Sequence, residues 1–356
     1  MNVKIQAFKL KNEYFGRDDC LSATFVIFSI LCKIKKVLTT SVRRWMLNML
    51  TPLIYTVVFL VALPLNIMAI IMFLVKMKVR KPAVVYMLNL ATADVLFVSV
   101  LPFHIVYRFL ENNWLIGEGM CRFVTAAYYC NMYCSILLMT SISVDRFLAV
   151  VYPLRSLSWR TVTRAWLVCG VIWVISMAST VPLLIYKQSV RMLNITTCHD
   201  DKNVYVRRGY YFYYFTTLIS LFFFLPLFIT TFCYIGTICN LSRSKFDRTR
   251  KRLRAIRLSV VVLSVFVLCF GPTNVLYFSH YVKMYTYLEN SLHYTYILCA
   301  SISSINCCLD PLIYYFASSQ CQRYVYSLLH YKKDHRPPLK LKQTPTNNEQ
   351  TTESTL

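Results

Sequence analysis

Charged residues are scarce in this sequence of 356 residues and make up only 15% of the chain. A soluble domain usually has about 25%, and here 57% of the residues are hydrophobic. This composition excludes one large water-soluble core and indicates a membrane protein. Glycine is scarce as well, with 7 residues, while aromatic residues reach 15%. A collagen-like chain and a low-complexity disordered chain are therefore excluded.

Acidic residues in particular are few: 15 Asp and Glu stand against 39 Lys and Arg, so that the formal net charge is +24. A charge of this size is typical of proteins that bind nucleic acid. The basic residues, however, fall in short clusters between long apolar runs, as they do in the cytoplasmic loops of membrane proteins. We therefore predict a lipid bilayer as a partner and no nucleic acid.

The sequence also lacks the patterns of an enzyme. It contains no nucleophile–base set, no metal-binding spacing and no phosphate-binding loop, so we predict no catalytic residue. Fourteen cysteines would suggest a disulfide scaffold in a small secreted protein. Most of them lie within apolar runs instead, where cysteine is a small packing residue.

Seven apolar runs are long enough to cross a membrane, since about 20 helical residues span ~30 Å of hydrocarbon. They cover Leu50–Val75, Ala83–Tyr107, Phe123–Val144, Val162–Tyr186, Tyr210–Cys239, Ser259–Tyr281 and Leu292–Phe316. The predicted fold is all-α, with a seven-transmembrane helix bundle at residues 50–317. A short amphipathic eighth helix at 318–331 and a cytoplasmic tail at 332–356 follow it.

Residues 1–49 differ from the rest because they are basic and polar, apart from the apolar stretch Leu21–Cys32. This stretch is too short to span a membrane, and its length suits the core of a signal peptide. A membrane-surface segment is the alternative. We predict that residues 1–49 are an N-terminal segment that is either signal-like or part of an incomplete extracellular domain.

The loops indicate the orientation of the bundle. Those after spans one, three and five are basic, and those after spans two and six are nearly neutral. Because Lys and Arg concentrate on the cytoplasmic side, we expect a plasma-membrane protein with its N-terminus outside and its C-terminus inside. The glycosylation triplet that begins at Asn194 then lies outside, together with Cys121 and Cys198.

Two acids lie within predicted spans. Asp94 is in mid-span, where an ionised carboxylate is costly, and Asp310 stands beside Pro311. Ser135 and Asn306 can add neutral oxygens, and such a set suits a hard cation such as Na⁺. The alternative is a protonated or water-bridged cluster that only ties helices together.

An abrupt charged pair, Asp145 and Arg146, follows the third predicted span. An anchor at the membrane–water interface is one interpretation of this pair. We favour a switch, because Tyr234 and Tyr314 also lie near the cytoplasmic ends of their spans, where their hydroxyls can compete for Arg146.

Proline occurs inside several spans, where it removes one helical hydrogen bond and bends the helix. Pro272 follows Phe266 and Phe270 in the sixth span. A bend flanked by bulky rings can act as a hinge, and passive kinking is the alternative.

Short motifs along all seven spans resemble those of the rhodopsin-like (class A) G-protein-coupled receptors. They are LATADVLF, Trp114 before Cys121, DRFLAVVYPL, Trp173, FFFLPLFI with Tyr234, FVLCFGPTN and DPLIYY. More narrowly, VLPFHIVY, PLRSLSWRT, NITTCHD and SSQCQRYVYS resemble the protease-activated (thrombin) receptor subfamily. The resemblance covers roughly Pro52 to Leu329.

The resemblance implies a role for each matching residue. A disulfide would join Cys121 and Cys198. A sodium pocket would be lined by Asp94, Ser135 and Asp310, with Asn306 as a further candidate. The residues of the cytoplasmic activation switch and the connector to the sixth helix would be Asp145, Arg146, Tyr234, Phe266, Phe270, Pro272, Pro311 and Tyr314. The candidates for agonist binding are Tyr107, Tyr129, His199, Asp200, His280, Tyr281 and Tyr296.

The resemblance also implies partners: heterotrimeric G proteins, arrestin, receptor kinases and a serine protease such as thrombin or trypsin. In this subfamily the agonist is the receptor's own new N-terminus, released by the protease. Residues 1–49 contain no convincing cleavage site, so we expect either an incomplete extracellular segment or a receptor that its own cleavage does not activate.

Two other functions stay open. One is a receptor of the same fold for a diffusible peptide, lipid or nucleotide. The other is a transporter or channel, which would predict inverted repeats or several charged residues along a pathway. The sequence contains neither of these features.

Overall fold

The computed structural model describes residues 48–192, 195–199, 204–243, 249–287, 293–318, 321–323 and 326–327. Within these ranges, side chains are described at 48–191, 195–199, 212–240, 256–279, 297–318, 321–323 and 326–327. The predicted signal-like stretch, the cytoplasmic tail and most of the predicted eighth helix lie outside them.

Seven helices are long and apolar enough to cross a membrane, which confirms the predicted bundle. The first four are α1 at Asn48–Lys76, α2 at Pro82–Val98 and Leu101–Phe109, α3 at Glu118–Val151, and α4 at Val162–Ile185. The last three are α5 at Val204–Ile219 and Leu225–Arg243, α6 at Thr249–Val265 and Gly271–Tyr287, and α7 at His293–Ser303 and Asn306–Ala317. A short helix, Ser156–Trp159, links α3 to α4.

Wide π-helical turns interrupt α5 and α6 just before a proline. Ser220–Phe224 precedes Pro226, and Phe266–Phe270 precedes Pro272. Proline has no N–H, and its ring clashes with the carbonyl four residues back, so the preceding turn must widen or bend. Pro311 lies inside the second segment of α7. The predicted bend at Pro272 is thus a local widening of α6.

The helix α3 continues beyond the end of its predicted span. It runs to Val151, so that Asp145 and Arg146 lie within its last two turns. It packs against α2, α4, α5 and α6. The helix therefore connects both ends of the bundle to its centre.

Between α4 and α5 the chain forms a hairpin that the sequence did not predict. The strands β1, Ser189–Met192, and β2, Ile195–Cys198, pair antiparallel, with Ser189 opposite Cys198. We call the end of the bundle with this hairpin the hairpin end. The opposite end, with Asp145, Arg146 and Arg160, is the arginine end.

Aromatic side chains fill much of the interior, and apolar side chains also cover the outside. Tyr133, Phe215 and Phe266 are among the largest fully buried side chains. Leu60 and Phe228 are more than half exposed. Large apolar side chains facing outward are expected where the surroundings are lipid.

Candidate functional site

The start of α3 and the end of β2 are joined covalently. A disulfide links Cys121 to Cys198, whose Cα atoms lie 5.7 Å apart. Both residues are buried. The predicted pairing is confirmed, and it holds the hairpin against the bundle.

Glu118, in the first turn of α3, holds the other strand. Its carboxylate accepts hydrogen bonds from the N–H groups of Gln188 at 2.8 Å and Ser189 at 3.0 Å, and from the Ser189 hydroxyl. Arg122 forms an ion pair with the same carboxylate at 2.7 Å. The binding of the hairpin by Glu118 was not predicted from the sequence. The available signal was an acid in the first turn of a helix, where the helix dipole favours negative charge.

Trp114 and Tyr107 add two further contacts to the hairpin. The backbone N–H of Trp114 donates to the Thr196 carbonyl at 2.7 Å, and the backbone N–H of Cys198 donates to the Tyr107 hydroxyl at 3.2 Å. The two rings meet edge to face, with centroids 5.5 Å apart. Tyr107, a predicted agonist-binding residue, therefore also supports the disulfide strand.

Two more predicted agonist-binding residues, Tyr129 and His199, lie together under the hairpin. The Tyr129 hydroxyl donates to the Tyr277 hydroxyl at 2.7 Å and lies 3.1 Å from Nε2 of His199. Nδ1 of His199 lies 2.9 Å from Oε1 of Gln188. These bonds link α3, α6 and the hairpin in one polar cluster.

A cavity of about 50 Å³ lies beside this cluster and also borders Tyr55 and His104. A space of this size holds a few water molecules but no peptide. An agonist that used Tyr129 and His199 would therefore have to open the hairpin end or displace side chains.

The other predicted residues of the hairpin end are four agonist-binding candidates and one glycosylation candidate. The side chains of Asp200, His280, Tyr281 and Tyr296, and the glycosylation candidate Asn194, lie outside the described residues.

The four residues of the predicted sodium pocket come from three helices and are almost fully buried. Asp94, Ser135 and Asp310 have no exposed surface, and Asn306 is 1% exposed. The two carboxyl groups neighbour each other. Among the described residues, no hydrogen bond of normal geometry reaches either carboxyl group or the Ser135 hydroxyl, although Cys307 lies beside Asp94 and Asn306 lies beside Asp310.

The donor set at these acids fits a sodium ion. Buried oxygens without donors are costly, and a hard cation between them relieves both the missing bonds and the repulsion between carboxylates. Oδ1 of Asn306 lies 3.5 Å from Sγ of Cys307, and its second lone pair leaves the oxygen able to serve the cluster. Its Nδ2 has no hydrogen-bond partner of normal geometry among the described residues.

The predicted switch residue Tyr314 contacts α1 in this structure. Its hydroxyl donates to Oδ1 of Asn66 in α1 at 3.3 Å, and its buried ring packs edge-on against Phe73. Nδ2 of Asn66 donates to the carbonyls of Ala62 and Cys307. Tyr314 therefore stabilises the contact between α1 and α7, and Asn66, whose role the sequence analysis missed, is its partner.

At the arginine end, the buried carboxylate of Asp145 is held mainly by Arg160. Nε of Arg160 donates to Oδ1 at 2.7 Å, and Nη2 donates to Oδ2 at 2.8 Å. Nε of Arg146 is 3.9 Å from Oδ2 and has no hydrogen-bond partner among the described residues. The predicted Asp145–Arg146 pair is thus the weaker one, and Arg160, which the sequence presented only as a loop charge, takes its place. Tyr234 is half-buried in α5.

The predicted connector residues face the wide turn of α5. Phe266 and Phe270 are buried in the wide turn of α6, and their rings meet edge to face. The Phe266 ring also stacks on Phe223, with centroids 5.7 Å apart. A movement of α6 about Pro272 would therefore change its packing against α5.

Comparison with known proteins agrees with this arrangement. Residues 65–314 match the family 7 transmembrane receptor (rhodopsin family). The chain is 58% identical to proteinase-activated receptor 1 of Xenopus laevis, over 83% of this chain and 70% of that protein. It is 56% identical to proteinase-activated receptor 1 of Homo sapiens, over 82% and 69%, respectively. It is 40% identical to proteinase-activated receptor 2 of Bos taurus, over 75% and 68%. This chain, a multi-pass membrane protein, belongs to the rhodopsin family of seven-transmembrane receptors.

Proposed function

We propose that this chain is a receptor of the protease-activated (thrombin) type, and that it transmits extracellular cleavage or a peptide agonist to heterotrimeric G proteins. It is a signalling receptor and not an enzyme. The observation that carries the proposal is the 58% identity to proteinase-activated receptor 1 of Xenopus laevis over 83% of this chain. The match covers 296 residues, many more than the family motifs contain.

In this proposal the hairpin end faces the outside of the cell and the arginine end faces the cytoplasm. The distribution of Lys and Arg among the loops supports this orientation. The receptor then lies in the plasma membrane with its N-terminus outside the cell. The disulfide of Cys121 and Cys198 lies on the same side, in an oxidising compartment.

The agonist would act at the hairpin end. Tyr107, Tyr129 and His199 already lie under the hairpin, and tyrosine offers both apolar area and a hydroxyl. A new N-terminal ammonium group would pair with a carboxylate, and Asp200 remains our candidate. His280, Tyr281 and Tyr296 complete the proposed set.

Activation would shift an equilibrium that exists before the agonist binds. In the active state α6 swings outward about the wide turn before Pro272, and a G protein enters beside Arg146. Two contacts support this proposal. The Phe266 ring stacks on Phe223 of α5, and the Arg146 guanidinium is 3.9 Å from its nearest carboxylate oxygen. Arrestin and receptor kinases are the other proposed cytoplasmic partners of the active state.

A structural Na⁺ ion is part of the proposal, held by Asp94, Asp310 and the Ser135 hydroxyl. The ion would offset one negative charge between the two neighbouring buried carboxyl groups and so stabilise the resting bundle. We expect the purified receptor to unfold at a higher temperature in sodium than in N-methylglucamine chloride of equal ionic strength. Asp94→Asn should remove this difference. A difference that persists in Asp94→Asn would exclude the site.

Calcium release in cells tests the receptor function. Cells that express the full chain should respond to thrombin, to trypsin or to a short synthetic peptide agonist of proteinase-activated receptor 1, and cells without it should not. Arg146→Ala should abolish the response without changing the amount of receptor at the cell surface. A response only to the peptide would support the diffusible-agonist alternative. A response to none of them would exclude this proposal.

A further inference from the structure

A second pocket opens on the side of the bundle at the arginine end. Its walls include Tyr86 of α2, Leu148 of α3, Val168 of α4 and Ile229 of α5. Its volume is about 450 Å³. Ligand pockets in proteins typically measure about 300–1,000 Å³, so this one can hold a substantial part of an amphiphilic molecule.

The inner wall of the pocket is apolar in its chemistry. Its two hydroxyls on α3 are already used, because Thr140 donates to the Ile136 carbonyl at 2.8 Å and Ser141 donates to the Leu137 carbonyl at 2.9 Å. The remaining wall is formed mostly by aliphatic and aromatic side chains. A hydrocarbon chain suits such a wall better than a polar ligand does.

The mouth of the pocket is basic. Arg160 and Arg164 line it, and Asp145 is the one acid among the lining residues that the structure describes. Nε and Nη2 of Arg160 donate hydrogen bonds to Asp145, so Nη1 remains available to a ligand. Arg164 is exposed and donates Nη1 to the Ser158 carbonyl at 3.0 Å, which leaves Nε and Nη2. One positive charge at the mouth is therefore not balanced by a carboxylate of the pocket.

The pocket also has the depth of one leaflet. Its α3 wall runs from Thr140 to Leu148, and the eight helical steps between them at ~1.5 Å rise span ~12 Å, close to half of a ~30 Å hydrocarbon core. Trp159, which is 55% exposed, stands at the basic mouth. Tryptophan is typical of the level of the lipid headgroups, so the mouth and the wall match a headgroup and an acyl chain.

We propose that this lateral pocket binds an anionic phospholipid of the cytoplasmic leaflet. The lipid phosphate would lie between Arg160 and Arg164, and the start of an acyl chain would run along Leu148, Val168 and Ile229. Arginine binds phosphate well because its planar N–H groups match the phosphate oxygens. The choice of leaflet rests on the orientation proposed above, whereas the binding itself depends on neither orientation nor agonist.

Native mass spectrometry of the purified full chain in detergent micelles, titrated with phosphatidylserine and with phosphatidylcholine, tests the site. We expect phosphatidylserine to be retained more tightly than phosphatidylcholine. Arg164→Gln should weaken phosphatidylserine binding about fivefold, because one basic residue contributes at that scale to binding of anionic lipid. The matched control is Arg155→Gln, since Arg155 is exposed in the segment between α3 and α4 and does not line the pocket.

A second variant tests the apolar wall. Val168→Phe should narrow the pocket and weaken the binding of phosphatidylserine, while Arg164 stays in place. Both altered side chains are exposed, so both variants should fold, and a thermal unfolding curve checks this.

Three outcomes would overturn the proposal. Equal losses in Arg155→Gln and Arg164→Gln would mean diffuse attraction to a basic surface. Unchanged binding in Val168→Phe would exclude the apolar wall. Displacement of the lipid by soluble glycerophosphoserine at the same concentration would mean that the mouth binds a free phosphate group and that the acyl chain contributes nothing.

Discussion

The two ends of the bundle are held in different ways. At the hairpin end, four contacts hold the strands β1 and β2 against the bundle. They come from the disulfide, the Glu118 carboxylate, the backbone N–H of Trp114 and the Tyr107 hydroxyl. At the arginine end, one bidentate ion pair from Arg160 holds the buried Asp145. Among the described residues, several independent contacts hold the hairpin, whereas one arginine provides most of the hold on the Asp145 carboxylate.

This difference suits a receptor whose ends have different tasks. Several independent contacts maintain the conformation of a binding surface, because the loss of one contact leaves the others in place. A single ion pair can exchange partners, and a second guanidinium, that of Arg146, lies 3.9 Å from the same carboxylate. Two alternative partners for one buried charge form a two-state element of the kind that switches require.

The largest effect should come from removing the covalent anchor. Cys198→Ser should reduce the amount of receptor at the cell surface severalfold and abolish the agonist response, because the loss of a native disulfide typically costs about 2–5 kcal/mol of stability. Flow cytometry with an N-terminal epitope measures the surface amount. The control is Cys239→Ser, at an exposed free cysteine, which should behave as wild type. Normal surface expression of Cys198→Ser would mean that the other anchors suffice.

At the arginine end, two substitutions should act in opposite directions. Asp145→Asn removes the negative charge, frees Arg146 and should raise agonist-independent signalling severalfold. Arg160→Gln leaves the buried carboxylate with Arg146 as its nearest cation, so basal signalling should fall. Breaking a buried pair costs at most about 3–5 kcal/mol, and Arg160 keeps some contact with solvent, so the receptor should still fold.

Basal inositol phosphate production, normalised to the surface amount, measures both variants. Arg160→Lys serves as the control, since it keeps the charge and loses the bidentate geometry, and it should give an intermediate value. Changes of the same sign in Asp145→Asn and Arg160→Gln would contradict the exchange of partners and leave Arg160 a merely structural role.

A smaller effect is expected at the hairpin end when only one non-covalent anchor is lost. Glu118→Gln removes the charge that accepts the N–H groups of Gln188 and Ser189 and pairs with Arg122. Hydrogen bonds to a charged group contribute about 1.5–3 kcal/mol, and the disulfide still holds the hairpin.

Thermal unfolding of the purified receptor measures this loss, and agonist potency should fall only a few-fold. Glu111→Gln, at an exposed acid in the loop between α2 and α3, is the matched control and should have no effect. If Glu118→Gln were as damaging as Cys198→Ser, the hairpin end would not be redundantly anchored.

The elements that the sequence predicted well depend on local properties. The seven spans follow from the length of apolar runs, because a bilayer sets a minimum length for each helix. The family resemblance led to the disulfide, and the apolar runs themselves placed Asp94 and Asp310 inside spans. The bend of α6 was expected from Pro272, although the widened turn before it could not be predicted from a proline alone.

The contacts that were missed depend on partners distant in the chain. Arg160 meets Asp145 only because the short helix after α3 brings the chain back to that helix. Asn66 meets Tyr314 across 248 residues of sequence. The hairpin strands are only four residues long, too short to be recognised from local propensity, and Glu118 and the disulfide hold them in place.

The smallest predicted effect concerns the packing of α3 against α5, close to the arginine end. A Cβ atom added at Gly236 would lie 2.5 Å from Cε2 of Phe147, the residue after Arg146. The Phe147 ring also contacts Phe232, so it cannot move freely. Gly236→Ala should therefore lower the free energy of unfolding by about 1 kcal/mol, as overpacking does, and should change basal signalling less than Asp145→Asn.

Gly170 in α4 provides the matched control, because a Cβ atom there would meet nothing within 4 Å. Gly170→Ala should leave stability unchanged or raise it by up to about 1 kcal/mol, since alanine is the better helix former. Thermal unfolding of both variants in the same detergent gives the comparison, and opposite signs are expected. If both variants were equally stabilised, the Phe147 ring would move aside without cost. The packing of α3 against α5 near Arg146 would then be loose.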